Sequence, residues 1–98
     1  MVLTIFAGFH AREGFADALA KVVRDVVPPS RAEAGCLSIE AYRSIQDSAW
    51  LFIHSRWVDE VAFERHAGLA HTIEFLAAVA SLVDQLPQIA RTKPLDHV

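Results

Sequence analysis

Two histidines five residues apart are the first candidates for acid–base chemistry in this sequence. His66 and His71 flank Gly68, where the apolar pattern predicts the junction between a short helix and a longer one. An imidazole at the mouth of a pocket can accept a proton near neutral pH. The alternative is architectural: His66 would bind carbonyl groups at one helix end, and His71 would cap the next helix. The spacing differs from an H-E-x-x-H zinc motif and the glutamate is absent, so no metal site is predicted.

A second group of candidates lies in the apolar run from Trp50 to Trp57. Strand alternation places Ser55 and Trp57 on one face and His54 on the other. Trp57 could line a cavity or serve as a large core residue, and His54 could be a ligand, a base or an interface residue. The Ser55 hydroxyl can only hydrogen-bond unless a base activates it. His54 cannot be that base, because its side chain points the opposite way.

Hydrophobic periodicity predicts the elements that must position these side chains. Strands are expected over Val2 to His10, Cys36 to Ile45, Trp50 to Trp57, and Gln88 to Thr92. Helices are expected from Phe15 to the Pro28-Pro29 pair, from Asp59 to Ala67, and from His71 or Thr72 to about Gln85. The paired prolines should end the first helix. Asp59 should cap the second helix and Gly68 should end it, and about residues 93–98 should form a mobile tail.

The loop before the second strand carries a charged pair and a glycine. We expect Arg31 and Glu33 to clamp this loop through backbone hydrogen bonds and an ion pair. Gly35 should adopt a backbone angle that a side chain would resist. Cys36 should act as a small buried hydrophobic residue.

The predicted order β-α-β-β-α(α)-β is that of an α+β, ferredoxin-like split βαβ fold. The 98 residues would form one domain, with a four-stranded antiparallel sheet covered by helices on one face. The first strand is apolar on both faces, so it should be central in the sheet. The uncovered sheet face needs a partner, and a second copy of the chain is the simplest one. The expected assembly is a homodimer that forms a dimeric α+β barrel.

Composition excludes several classes of function. The net charge is −3 without a basic stripe, so nucleic acid is not an expected partner. Cys36 is the only cysteine, which excludes an intrachain disulfide and fits a cytoplasmic setting. The longest apolar stretch, near Phe75 to Val83, is too short to span a membrane. The sequence has no G-x-G-x-x-G, Walker loop or cysteine cluster, so no cofactor is predicted.

The segment from Arg31 to Phe75 resembles the antibiotic biosynthesis monooxygenase (ABM) family of small dimeric ferredoxin-like proteins. The resemblance lies in Arg31-x-Glu33-x-Gly35-Cys36, in a strand that ends at Trp57, and in the two histidines His66 and His71. Ser55 departs from the pattern, because the family usually has glutamate two residues before this tryptophan.

The resemblance implies a cofactor-independent monooxygenase that acts on a small aromatic molecule, quinol-like or polyketide-like, in an apolar pocket. In such a mechanism a histidine would remove the proton, and His66 and His71 are the candidate catalytic residues. The side chains that would bind substrate are Trp57, His54, Ser55 and Phe75. The alternative is a non-oxygenase member of the same superfamily, either an isomerase or a dimer that binds a small ligand. Ser55 in place of the usual glutamate favours this alternative.

Overall fold

The seven elements follow one another in the predicted order. The computed structural model describes residues 1–96. The elements are β1 (Leu3–His10), α1 (Ala16–Arg31), β2 (Cys36–Arg43), β3 (Trp50–Trp57), α2 (Glu60–Ala67), α3 (Ala70–Ala80) and β4 (Gln88–Thr92). The four strands form one antiparallel sheet in the order β2-β3-β1-β4. The predicted α+β, ferredoxin-like fold is therefore confirmed.

Strand β1 lies in the interior of the sheet and organises the core. It pairs with β3 from Leu3↔Trp57 to His10↔Trp50, and with β4 on its other side. Alternate β1 residues, including Ile5 and Phe9, are buried beneath the helices, as the alternation of strand side chains requires. The prediction that this doubly apolar strand is central is confirmed.

The paired prolines do not end the first helix, which corrects the prediction. Helix α1 contains Pro28 and Pro29 and continues to Arg31. Each proline keeps a helical φ angle, and the carbonyl groups that lose a donor belong to Arg24 and Asp25, which lie on the exposed face. The Ala32 N–H still donates to the Pro28 carbonyl. The additional turn brings Ser30 into the protein interior, fully buried.

Helix α3 is shorter than predicted and begins slightly earlier. It spans Ala70–Ala80 instead of continuing to about Gln85. The next residues pair with the chain at the end of β1: the Arg12 N–H donates to the Leu82 carbonyl, and the Asp84 N–H donates to the His10 carbonyl. These tertiary hydrogen bonds replace the helical ones, which is why apolar periodicity alone overestimated the length of the helix.

Strand β2 also differs from its prediction in two details. It ends at Arg43 and not at Ile45, because the Ser44 hydroxyl accepts two backbone N–H groups and closes a turn. A register shift between Cys36 and Ser38 leaves Leu37 exposed instead of on the Ile39 face, where strict alternation placed it.

The two faces of the sheet have different environments. The helices cover one face, while Phe6, Tyr42 and Phe52 on the other face remain exposed by 40–54%. Within residues 1–96, no helix is both long and apolar enough to cross a membrane. Of the predicted mobile tail over about residues 93–98, residues 97 and 98 lie outside the described part of the chain.

Candidate functional site

Both candidate histidines contact the same carboxylate oxygen. His66 Nδ1 lies 2.7 Å from Glu33 Oε2, and His71 Nε2 lies 2.8 Å from the same atom. An ionised carboxylate can only accept, so each of these nitrogens carries the proton and donates it. His66 Nε2 and His71 Nδ1 are then the nitrogens that can accept a proton. The architectural alternative, with the histidines at helix-end carbonyls and caps, is not the arrangement observed.

Burial strengthens the contact between Glu33 and His66. Each of these side chains is only 12% exposed, while His71 is 27% exposed. Coulomb attraction and hydrogen bonding are stronger where water is excluded. His66, the better shielded of the two imidazoles, is the better candidate for a base whose orientation the carboxylate fixes.

Close packing between α2 and the loop after α1 brings Glu33 to His66. A Cβ added to Gly35 would lie 2.4 Å from the Ala62 Cβ, so only glycine permits this approach. The predicted backbone angle is wrong as the reason for this glycine, because Gly14 and not Gly35 has a positive φ. Asp59 caps α2 by accepting the Ala62 N–H at 2.8 Å, as predicted. Residue 35 therefore sets the distance between the carboxylate and the helix that carries His66.

Arg31 does not form the predicted ion pair with Glu33. Its guanidinium donates to the Ile39 carbonyl at 2.6 Å and approaches the Glu40 carboxylate at 3.4 Å. The Glu33 side chain is thereby left to the two histidines. Cys36 is only partly buried and not buried as predicted. Burial, followed by the nearby Glu33 charge, raises the pKa of its thiol, so the structure does not indicate an activated thiolate.

Trp57 supports His66 and orients Ser55. The indole is fully buried and lies 4.5 Å from the His66 ring, centroid to centroid. Its Nε1–H donates to Ser55 Oγ at 3.0 Å. Because an indole N–H can only donate, the Ser55 oxygen is the acceptor and its own proton remains available for another partner.

A cavity of about 240 Å³ lies between the sheet and the helices beside this cluster. Its lining is mostly aliphatic and aromatic, and it includes a few side chains that can hydrogen-bond. Those that bear on chemistry are Ser30, Ser55, His66, Thr72, Phe75 and Arg91. Pockets for drug-sized ligands usually measure roughly 300–1,000 Å³. The cavity therefore suits a ligand smaller than that class.

The structure brings together most of the residues singled out by sequence, with one exception. Ser55, His66 and Phe75 line the cavity, and His71 and Trp57 contact the cluster from outside it. His54 lies on the opposite sheet face, 5.0 Å from the Phe6 ring, so it does not share this cavity.

Sequence reasoning missed two residues of the site. Glu33 was assigned to a loop clamp, although its place in the R-x-E-x-G-C segment was a usable signal. Ser30 was overlooked because it follows the prolines that were expected to end α1. In both cases, long-range packing decides the role of the residue.

Glu33, His66 and His71 also form a set that could hold a metal ion, since their ligand atoms lie within 4.8 Å of one another. Two imidazoles and one carboxylate are the protein ligands of many non-haem iron sites. The same nitrogens lie 2.7 and 2.8 Å from Glu33 Oε2, which are hydrogen-bond distances. Metal binding would require both nitrogens to lose their protons.

Comparison with known proteins shows the family and the fold of this chain. The model of the family described as antibiotic biosynthesis monooxygenase matches residues 2–81. PA3566 from Pseudomonas aeruginosa is 34% identical, with a TM-score of 0.90 over 96% of this chain and 94% of that one. Rv0793 from Mycobacterium tuberculosis, whose name proposes a monooxygenase, is 29% identical over 97% of this chain and 93% of its own. Its structure superposes with a TM-score of 0.92.

Proposed function

Because the chain belongs to the antibiotic biosynthesis monooxygenase family, we propose that it is a cofactor-independent monooxygenase acting on a small aromatic substrate. His66 is the base, and Glu33 holds its imidazole. The observation that carries this proposal is the 2.7 Å contact between Glu33 Oε2 and His66 Nδ1 beside the apolar cavity. The carboxylate fixes the His66 tautomer and stabilises the imidazolium that forms after proton transfer.

The reaction needs no reductant other than the substrate. His66 Nε2 removes a proton from an acidic C–H or O–H group, and the electron pair remains on the substrate as a carbanion or phenolate. The electron-rich ring carbon then bonds to dioxygen, and a proton returns to give a hydroperoxide. Loss of water converts a methylene carbon into a carbonyl, with one oxygen atom in the product and the other in water. The protein binds, orients and moves protons.

The volume and lining of the cavity narrow the substrate class. About 240 Å³ favours one or two fused rings over a larger polyketide. Phe9 and Phe75 meet edge to face with their centroids 5.6 Å apart, and Phe75 lines the cavity. A flat apolar ring with few polar substituents fits such walls.

A carbonyl isomerase is the second candidate, and Ser55 is the observation that favours it. Where relatives usually carry a carboxylate, this chain presents a buried hydroxyl at the cavity. A base with a neutral hydrogen-bond donor nearby suffices to form and reprotonate an enolate without oxygen.

We also propose that the protein is a homodimer in which a second copy covers the open sheet face. Tyr42 and Phe52 are cross-strand partners on that face, and Trp50 stacks near Phe52 at 5.9 Å. A Cβ on Gly8 would meet the Phe52 ring at 3.3 Å. Such a continuous aromatic surface is typical of an interface.

Oxygen consumption by metal-stripped protein over catechols and naphthoquinols, with the three-ring anthrones as a check on the size limit, tests the enzymatic proposal. We expect uptake above autoxidation that persists with a chelator and is lost in a His66→Gln variant. The matched control is His54→Gln, on the other sheet face, which should keep the activity. No uptake on any substrate would refute the oxygenase. Proton exchange from an enolisable ketone that depends on His66 would then support the isomerase.

A further inference from the structure

The Glu33 carboxylate is a largely buried charge without a permanently charged partner. Among residues 1–96, its ion-pair partners are His66 and His71. Arg31, the nearest arginine in sequence, directs its guanidinium to a backbone carbonyl of β2 instead. A buried charge is normally paired with an opposite charge or bound to a metal ion, and a neutral imidazole donates a hydrogen bond but carries no charge. The charge of Glu33 is therefore balanced only when an imidazolium or a metal cation is present.

The two histidines that meet this carboxylate come from different helices. His66 lies in the last turn of α2 and His71 in the first turn of α3, on either side of the Gly68 that ends α2. An H-E-x-x-H zinc motif needs both of its histidines on one helix face, so the spacing in sequence could not reveal this arrangement. Here one ligand atom from each of His66, His71 and Glu33 lies within 4.8 Å of the other two.

These distances are close to those around a bound zinc ion. Tetrahedral zinc binds nitrogen and oxygen at about 2.0–2.2 Å, which separates neighbouring ligand atoms by roughly 3.3–3.5 Å. Glu33 Oε2 lies 2.7 Å from His66 Nδ1 and 2.8 Å from His71 Nε2, so it would withdraw by roughly 0.5–0.8 Å to admit an ion. Thr72 Oγ1, 3.3 Å from the same Nδ1 atom, is a longer contact that the ion would replace. The His71 side chain is 27% exposed, which gives an ion access from solvent.

We propose that Glu33, His66 and His71 bind a divalent transition metal ion, and that this ion blocks the base. Two imidazoles and a carboxylate are the protein ligands of several catalytic zinc sites, in which water takes the fourth position. In the metal-free cluster, His66 carries its proton on Nδ1 and accepts at Nε2. When Nδ1 binds the metal, the neutral imidazole keeps its single proton on Nε2. That nitrogen can then donate but cannot accept. The blocking effect rests on the proposed role of His66, whereas the metal site does not.

Titration of the metal-stripped protein with Zn²⁺ tests the site without any substrate, since zinc has no redox chemistry. Calorimetry and competition with a chromophoric chelator should give one ion per chain, and the thermal midpoint of the unmodified chain should rise with zinc concentration. His66→Gln and His71→Gln should each weaken binding by at least about 10–100-fold, because even changes behind the direct ligands have effects of that size. His54→Gln, which removes an imidazole from the other sheet face, is the matched control and should bind zinc like the unmodified chain.

The blocked base is tested by ¹⁵N NMR of histidine-labelled protein. Zinc should move the His66 proton from Nδ1 to Nε2, and an unchanged tautomer would overturn the blocking effect. No binding by the unmodified chain, or binding that survives in folded His66→Gln and His71→Gln variants, would overturn the site itself. Failure of the proposed function is a separate result, namely no oxygen uptake by the metal-free protein on any substrate. The zinc titration and the NMR spectra decide the metal site in that case too.

Discussion

Replacing Glu33 by glutamine should remove most of the turnover while the chain stays folded. A single oxygen, Oε2, accepts the His66 and His71 N–H groups at 2.7 and 2.8 Å. A hydrogen bond to a charged group contributes roughly 1.5–3 kcal/mol. The amide oxygen of glutamine can still accept both N–H groups but carries no charge, so we expect a stability loss of about 1–3 kcal/mol. For a domain of this size, each kcal/mol of lost stability lowers the thermal midpoint by roughly 4–8 °C.

The effect of Glu33→Gln on rate should exceed its effect on stability. Without the carboxylate, the His66 tautomer is no longer fixed and the imidazolium loses its counter-charge. General-base catalysis contributes roughly 10²–10⁴-fold, so turnover measured by oxygen uptake should fall within that range. The control is Glu40→Gln, which removes the same charge from a 3.4 Å surface pair with Arg31 and should cost at most about 1 kcal/mol. Full turnover in a folded Glu33→Gln protein would refute the assignment of Glu33 and His66.

Three further predictions concern packing, assembly and reactivity. Gly35→Ala should destabilise the fold by about 1–3 kcal/mol in urea unfolding, because its Cβ meets the Ala62 Cβ at 2.4 Å. Ala62→Gly in the same chain should recover part of this loss, and additive losses would contradict the contact. If the proposed dimer forms through the aromatic face, Phe52→Lys should give a monomer mass in light scattering, because it places a charge in that face. A dimer mass for this variant would place the interface elsewhere. Burial raises the pKa of Cys36, so at pH 8 less thiolate is present than in the unfolded chain. Iodoacetamide should alkylate the folded protein more slowly than the urea-unfolded protein, and equal rates would argue against the raised pKa.

The strands were predictable because their signal is local. The strands Trp50–Trp57 and Gln88–Thr92 have the predicted bounds. The alternation of side chains within a strand and the turn residues beside it can both be read from a few neighbouring positions. The ends of α2 were predictable too, since Asp59 caps this helix and Gly68 follows it, but the C-terminal ends of α1 and α3 were not. Helix α3 stops at Ala80 because Leu82 and Asp84 find backbone partners near the end of β1. Those partners are about seventy residues away in sequence, and no window of apolar periodicity contains them.

The site was only half predictable for a related reason. Histidine side chains titrate near neutral pH, so the residue type and the spacing were enough to identify His66 and His71 as candidates. A glutamate close to an arginine in sequence suggests an ion pair, but the predicted pair between Arg31 and Glu33 is not formed. The reason is that the Ile39 carbonyl and Glu40 engage Arg31 while Gly35 brings α2 close enough for His66 to reach Glu33.

The hydrogen bonds of Glu33 and Trp57 give a physical account of Ser55, the chief departure from the family pattern. A carboxylate already stands at His66, since Glu33 accepts its Nδ1–H group. A carboxylate at position 55 would be buried beside the same cavity and would carry a desolvation penalty. A serine avoids this penalty, accepts the indole N–H of Trp57, and keeps a proton to donate. The substitution thus leaves the contact between Glu33 and His66 in place and changes the cavity wall from an acceptor to a donor. Such a wall favours a substrate that becomes negatively charged over one that carries a positive charge.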